Sequence, residues 1–175
     1  MTATTELPIG DSSRLGQLFD KLSDKLGRGF SQRANEAVKC HGLGANLACC
    51  AMCGAAAESI LLAVAVAKIG NEEKTVAIYQ AAGGRRKVVD AITGQLGQAI
   101  AAPFKSATEL ISSWRDAAAH GIVSNISEIE AHEAIARLLR LAQFTIDNWA
   151  ELTGERREAS PRNADEPRGN NHDDP

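Results

Sequence analysis

The amino-acid sequence predicts an all-α fold, an antiparallel helical bundle of four to five main helices. Three observations predict it. Apolar residues recur at spacings of three and four along most of the chain, the mark of one face of a helix. Aromatic residues make up only 4% and alanine is abundant, which suits closely approaching helices better than the β-branched and aromatic strands of a sandwich. No segment alternates apolar and polar residues as a half-buried strand would, and no internal repeat is visible.

The elements follow in order. Asp11 and Ser12 can cap a first helix, in which Leu15, Leu18, Phe19, Leu22 and Leu26 form one stripe, and Gly27 and Gly29 stop it. A short helical piece is predicted from Ser31 to about Cys40, with a break at Gly42 and Gly44. Ala45 to Ile69 reads as a long helix that is apolar nearly all round, so it should lie centrally and be covered on several sides. Gly70 and Asn71 end it. Glu72 to Ala82 and Arg85 to Ile100 read as helical, divided at Gly83-Gly84, and Pro103 separates the next element. Lys105 to His120 is amphipathic, with Ala107, Leu110, Ile111, Trp114, Ala117 and Ala118 on one side and Gly121 just past its end. The short Gly121–Ile126 loop returns the chain antiparallel into a helix opened by Ser127 and Glu130, the spacing of a capping box. Ile135, Leu138, Leu139, Ala142, Ile146 and Trp149 form its seam, and Gly154 closes it.

The chain of 175 residues suits one domain with loose ends: a flexible lead over 1–10, a helical domain over 11–153, and a charged, Pro- and Gly-containing tail over 154–175 expected to be disordered. A net charge of −3 excludes the overall basic footprint of a tight, non-specific nucleic-acid binder. The first ten residues have neither a basic start nor an apolar run, so no signal peptide is expected. Leu47 to Ile69 is long enough for a membrane span, but Glu58 interrupts it and its alanines supply little insertion energy, so a buried core helix is expected rather than a membrane association. The expected compartment is the cytoplasm, where Cys40, Cys49, Cys50 and Cys53 stay reduced.

One segment is chemically pointed: Trp114-Arg115-Asp116-Ala117-Ala118-Ala119-His120-Gly121. Asp116 and His120, four apart, share a helix face, so the carboxylate can bond one ring nitrogen and favour the imidazolium. The negative helix end favours the same charge. Arg115 lies about 140° around an ideal helix from His120, so the two converge only if the last turn unwinds at Gly121 or a second subunit completes the site.

Arg115 and His120 resemble the R-x4-H motif of the HEPN superfamily, with the usual polar residue after the arginine (Asp116) and a glycine after the histidine, near the end of a late helix that one more helix follows. The resemblance covers roughly residues 45–152. It implies a metal-independent endoribonuclease whose site forms across a homodimer. The ribose 2′-OH attacks the adjacent phosphate and leaves a cyclic phosphate and a 5′-OH. His120 would serve as general acid or base, Arg115 would hold the phosphate, and Asp116 would position one of them. RNA would be the substrate, and a cognate antitoxin or nucleotidyltransferase a partner, as in toxin or defence systems. Members that only bind RNA or a partner protein make a non-catalytic adaptor the alternative. No cofactor is implied.

Other residues carry weaker signals. Cys50 and Cys53 form C-x2-C, with Cys40 and His41 upstream, but they sit in an Ala-rich helical run beside Cys49, so core packing is expected and no metal. Arg85, Arg86 and Lys87 form the densest basic cluster, either substrate-binding residues for RNA or a solvated helix start. The required pattern of a phosphate-binding loop is absent around Gly83-Gly84. Glu58, inside the apolar helix, either faces Arg115 and orients it or lies on a thin exposed strip. His132 is expected to be an interfacial histidine at the seam.

Overall fold

The computed structural model describes the backbone of residues 12–119 and 125–155 and the side chains of 14–109 and 125–155. The fold is an all-α bundle, with eight helices among the described residues. Five are long: α1 (Ser12–Leu26), α2 (Arg28–Gly42), α3 (Asn46–Ile69), α6 (Gln98–Ala119) and α7 (Glu128–Asp147). Three are short: α4 (Glu72–Gln80), α5 (Gly84–Thr93) and α8 (Trp149–Thr153).

α3 organises the rest because it is apolar on every side. A helix of that kind has no face to give to water, so neighbours must surround it. It packs against each of the seven other described helices. Its 24 residues are long and apolar enough to cross a membrane, yet 61% of its most apolar window is buried inside the bundle.

Directions follow from cross-helix pairs. Phe19 meets the edge of Phe30 at 5.8 Å, and Asp20 Oδ1 accepts from Ser31 Oγ at 3.0 Å and Asn35 Nδ2 at 2.8 Å, so α1 and α2 are antiparallel. The whole reversal is made at Gly27, whose φ of 82° lies in the left-handed region open to glycine. α7 runs parallel to α3. Asn46 Nδ2 donates to the Ile126 carbonyl at 3.2 Å, Cys49 Sγ lies 3.7 Å from the Ala131 carbonyl, and Lys68 Nζ donates to the Leu152 carbonyl at 3.3 Å. Lys68 also donates to the Ile92 carbonyl at 2.8 Å, so one ammonium group serves the C-terminal carbonyls of both α5 and α8, and burial holds it below the usual lysine range.

Four boundaries differ from the sequence expectations. α2 begins at Arg28 rather than Ser31, because Gly27 alone makes the turn and Gly29 sits inside the helix where Arg33 and Ser59 crowd it. The segment from Arg85 to Ile100 is not one helix. α5 ends at Thr93, and a turn through Gly94–Gly97 precedes α6. Pro103 does not separate elements but lies inside α6. It removes the hydrogen bond that would reach Ala99, which is exposed, so water can take that carbonyl. The last seam breaks at Asn148, which caps α7 and leads into α8.

The capping box at α7 is present as the spacing predicts. Glu130 N donates to Ser127 Oγ at 3.2 Å, and Ser127 N donates to Glu130 Oε2 at 2.8 Å. Hydrogen bonds from the Ser127 backbone and then its side chain hold the Glu130 carboxyl below the usual glutamate range. A depressed folded value gives stability that is present above the unfolded glutamate pKa of about 4.3 and lost as pH falls through the folded value. Ser127→Ala should therefore cost about 1 kcal/mol at neutral pH. Glu130→Gln should remove part of the acid-range loss, both read from thermal melts between pH 3 and 7.

Candidate functional site

The segment that carries the motif ends α6. Along this helix Ala101, Phe104 and Thr108 are buried. Position 115 falls seven residues beyond Thr108, about 20° short of two full turns, and so on the same face of the helix. Arg115 and Asp116 belong to α6, but their side chains lie outside the described residues, as does His120 altogether. Their mutual geometry is therefore outside the described residues too.

What the described residues do place is a polar centre under that face. Glu58 is 7% exposed, the one charged residue among the buried described side chains. Of its two sequence readings, the exposed strip is ruled out. Glu58 Oε1 accepts from Arg85 Nε at 2.8 Å, and Oε2 accepts from the Tyr79 hydroxyl. Arg85 then extends Nη2 to the Thr108 carbonyl, also at 2.8 Å. One point thus joins α3, α4, α5 and α6. A buried carboxylate demands such partners, because leaving it unpaired costs several kcal/mol.

Local backbone chemistry brings Arg85 to this point. The turn between α4 and α5 is so tight that a Cβ at Gly84 would stand 2.1 Å from the Ile78 carbonyl oxygen and 2.3 Å from that of Tyr79. Only glycine fits there, and Arg85 follows it directly, beside the end of α4 that carries Tyr79. The basic triple is thereby split. Arg85 turns inward with Nε and Nη2 both engaged, whereas Arg86 and Lys87 are exposed. Arg86 has only a loose pairing with Asp90 at 3.8 Å. Sequence reasoning singled out Glu58 and Arg85 but did not pair them, and it missed Tyr79. The signal was the sole tyrosine standing six residues before an arginine across a Gly-Gly turn.

The pole where α3 and α7 begin is the second notable region. Its exposed large apolar side chains are Leu43 (84%), Leu47 (42%) and Ile129 (80%), the only such residues among those described. Beneath them, His41 and His132 rings lie 5.7 Å apart, and His41 Nε2 is buried with no hydrogen-bond partner among the described residues. His132 is thus an interfacial residue between α2 and α7.

The cysteines pack this pole from inside. Cys49, Cys50 and Cys53 are fully buried and Cys40 is half-buried. Burial pushes the Cys50 thiol up to about 12. Cys53 is raised by its hydrogen bond to Cys49 and by burial, while accepting that bond lowers Cys49. Among the described residues no three His, Cys, Asp or Glu side chains gather in a way that could hold a metal ion. These are thiols of a packed core.

The ion pair yields a direct stability test. Arg85→Met takes one charged partner from the Glu58 carboxylate and should cost about 1–3 kcal/mol. The double variant Glu58→Leu/Arg85→Met removes both charges and should be the more stable of the two in urea titrations. No protein-family model, curated protein or solved structure matches the chain.

Proposed function

We propose that this chain is a HEPN-like, metal-independent endoribonuclease that cleaves RNA by attack of the ribose 2′-OH. The observation that carries the reading is the Arg115-x4-His120-Gly121 sequence, which begins within the late helix α6 of an all-α bundle and is followed by the capped helix α7 and the short α8. In this reading His120 moves the proton, since imidazole is the side chain whose ordinary titration lies nearest neutral pH. Arg115 offers a planar fork of donors to the phosphate and to the charge that grows on it. Asp116 orients one of them, and Arg86 and Lys87, exposed at the start of α5, offer charge to the RNA backbone. The reading places the enzyme in the cytoplasm, in a toxin or defence role, with a cognate antitoxin or nucleotidyltransferase as partner.

A homodimer belongs to the same reading. The α6–α7 connection ends at Asn125 and Ile126, which line a groove with Gly44 and Leu47 at the apolar pole. A second copy seated there is the arrangement in which two copies of the motif would complete one site. The same apolar side chains favour the alternative, a non-catalytic adaptor that binds a partner protein or RNA, because exposed Leu and Ile at one pole suit protein association.

The two readings separate on purified protein incubated with 5′-labelled RNA in EDTA. Cleavage by the wild type, lost in a folded His120→Ala variant, is the expected result. Intact RNA with both proteins across several substrates would favour the adaptor. Light scattering should show a dimer, and Leu43→Glu/Ile129→Glu should shift it to monomer. A wild-type monomer at micromolar concentration contradicts the dimeric arrangement.

A further inference from the structure

We infer that Glu58 and Arg85 are positioning residues, a part-buried pair that grips the α6 backbone at Thr108 and so sets the height and rotation of the helix face on which position 115 lies. The inference rests on the reading of Arg115–His120 as the site.

Arg85 uses two separate edges of its guanidinium, Nε toward Glu58 and Nη2 toward the Thr108 carbonyl, each at 2.8 Å. Two directional bonds fix an angle as well as a distance, which a single ammonium group does not do. Glu58 is anchored in turn on α3, the helix that all others pack around, and by the Tyr79 hydroxyl on α4. The grip is thus referred to the central helix of the bundle.

α6 has reason to need it. Pro103 removes one of its early hydrogen bonds. Among the described residues, Arg85 is the one side chain from another helix that hydrogen-bonds the α6 backbone. Thr108 precedes Arg115 by seven residues, a rise of about 10.5 Å at 1.5 Å per residue. A shift or rotation at Thr108 therefore carries directly to the motif. Stability alone does not account for the pair, since an apolar replacement of a buried ion pair is often neutral or stabilising, whereas fixing a register is a well-attested use of one.

Arg85→Lys separates positioning from RNA contact, because it keeps the charge and loses the two-point geometry. In the full chain, amide exchange of residues 109–119 should rise roughly tenfold, while residues 136–146 of α7 stay as in the wild type. On labelled RNA in EDTA, kcat should fall by roughly 100-fold, the scale of an ångström-sized misplacement, with KM and the salt dependence of binding unchanged. Glu58→Gln, which keeps an acceptor for Arg85 but not the charge, should move both readouts in the same direction by a smaller amount and covers the case in which Arg85→Lys fails to fold. Unchanged exchange over 109–119 in a folded variant overturns the inference. So does a raised KM with a shallower salt dependence in Arg85→Met that Arg85→Lys restores, which would make Arg85 a phosphate contact. If exchange responds as stated but the wild type cleaves no RNA, the grip on α6 stands and the ribonuclease reading falls.

Discussion

Everything in this bundle depends on covering α3. A helix with Leu, Val, Ile, Ala and Cys around its whole circumference is unstable in water unless each side finds a neighbour, and seven helices supply them. That requirement explains the architecture more economically than any local preference. α1 and α2 fold back on each other and lie along one flank, α6 and α7 take another, and α4 and α5 close the remainder. The abundant alanine on α3 lets these helices come close, and its thiols fill space that larger side chains could not. Among the described residues, the large apolar side chains left exposed, Leu43, Leu47 and Ile129, all lie at the pole where α3 and α7 start.

The same requirement makes Glu58 conspicuous. One carboxylate in a helix that must be buried needs its own partners, and their placement recruits the turn between α4 and α5. Gly84 permits the two backbones to meet, Arg85 and Tyr79 converge on the carboxylate, and Arg85 reaches on to α6. The polar centre therefore ties the motif-bearing helix to the core helix. Arg85, which the sequence offers as part of a basic cluster, is engaged instead by Glu58 and the Thr108 carbonyl.

Much of this was legible beforehand, for reasons that can be named. The end of α3 was visible to the residue because its apolar run, interrupted at Glu58, stops at a glycine, here left-handed Gly70, while its start lies one residue past the expected Ala45. The α7 start was visible because a capping box is a local device that needs only Ser127 and Glu130. The misread boundaries share the opposite property. Whether Gly29 stops a helix, whether Gly94 and Gly97 divide one and whether Pro103 ends one are decided by what packs nearby and by which carbonyl faces water. Single-residue propensities do not contain that information. The candidate site divides the same way. The Arg115–His120 spacing is read along the chain, whereas the pairing of Glu58 with Arg85 spans 27 positions and depends on the tight turn that swings Arg85 inward. The expectation that Glu58 needs a partner followed from its place in an apolar helix, but the sequence does not show that Arg85 would be one of them.

The proposed chemistry is attack of a ribose 2′-OH on its adjacent phosphate at the Arg115–His120 segment. It is tested most directly by an RNA carrying a single 2′-deoxy nucleotide at a position the protein cuts. The account predicts that cleavage stops at that position and continues at the others, in EDTA, with cyclic phosphate and 5′-OH ends. Cleavage that persists at the deoxy position, or that yields 3′-OH and 5′-phosphate ends, would contradict it.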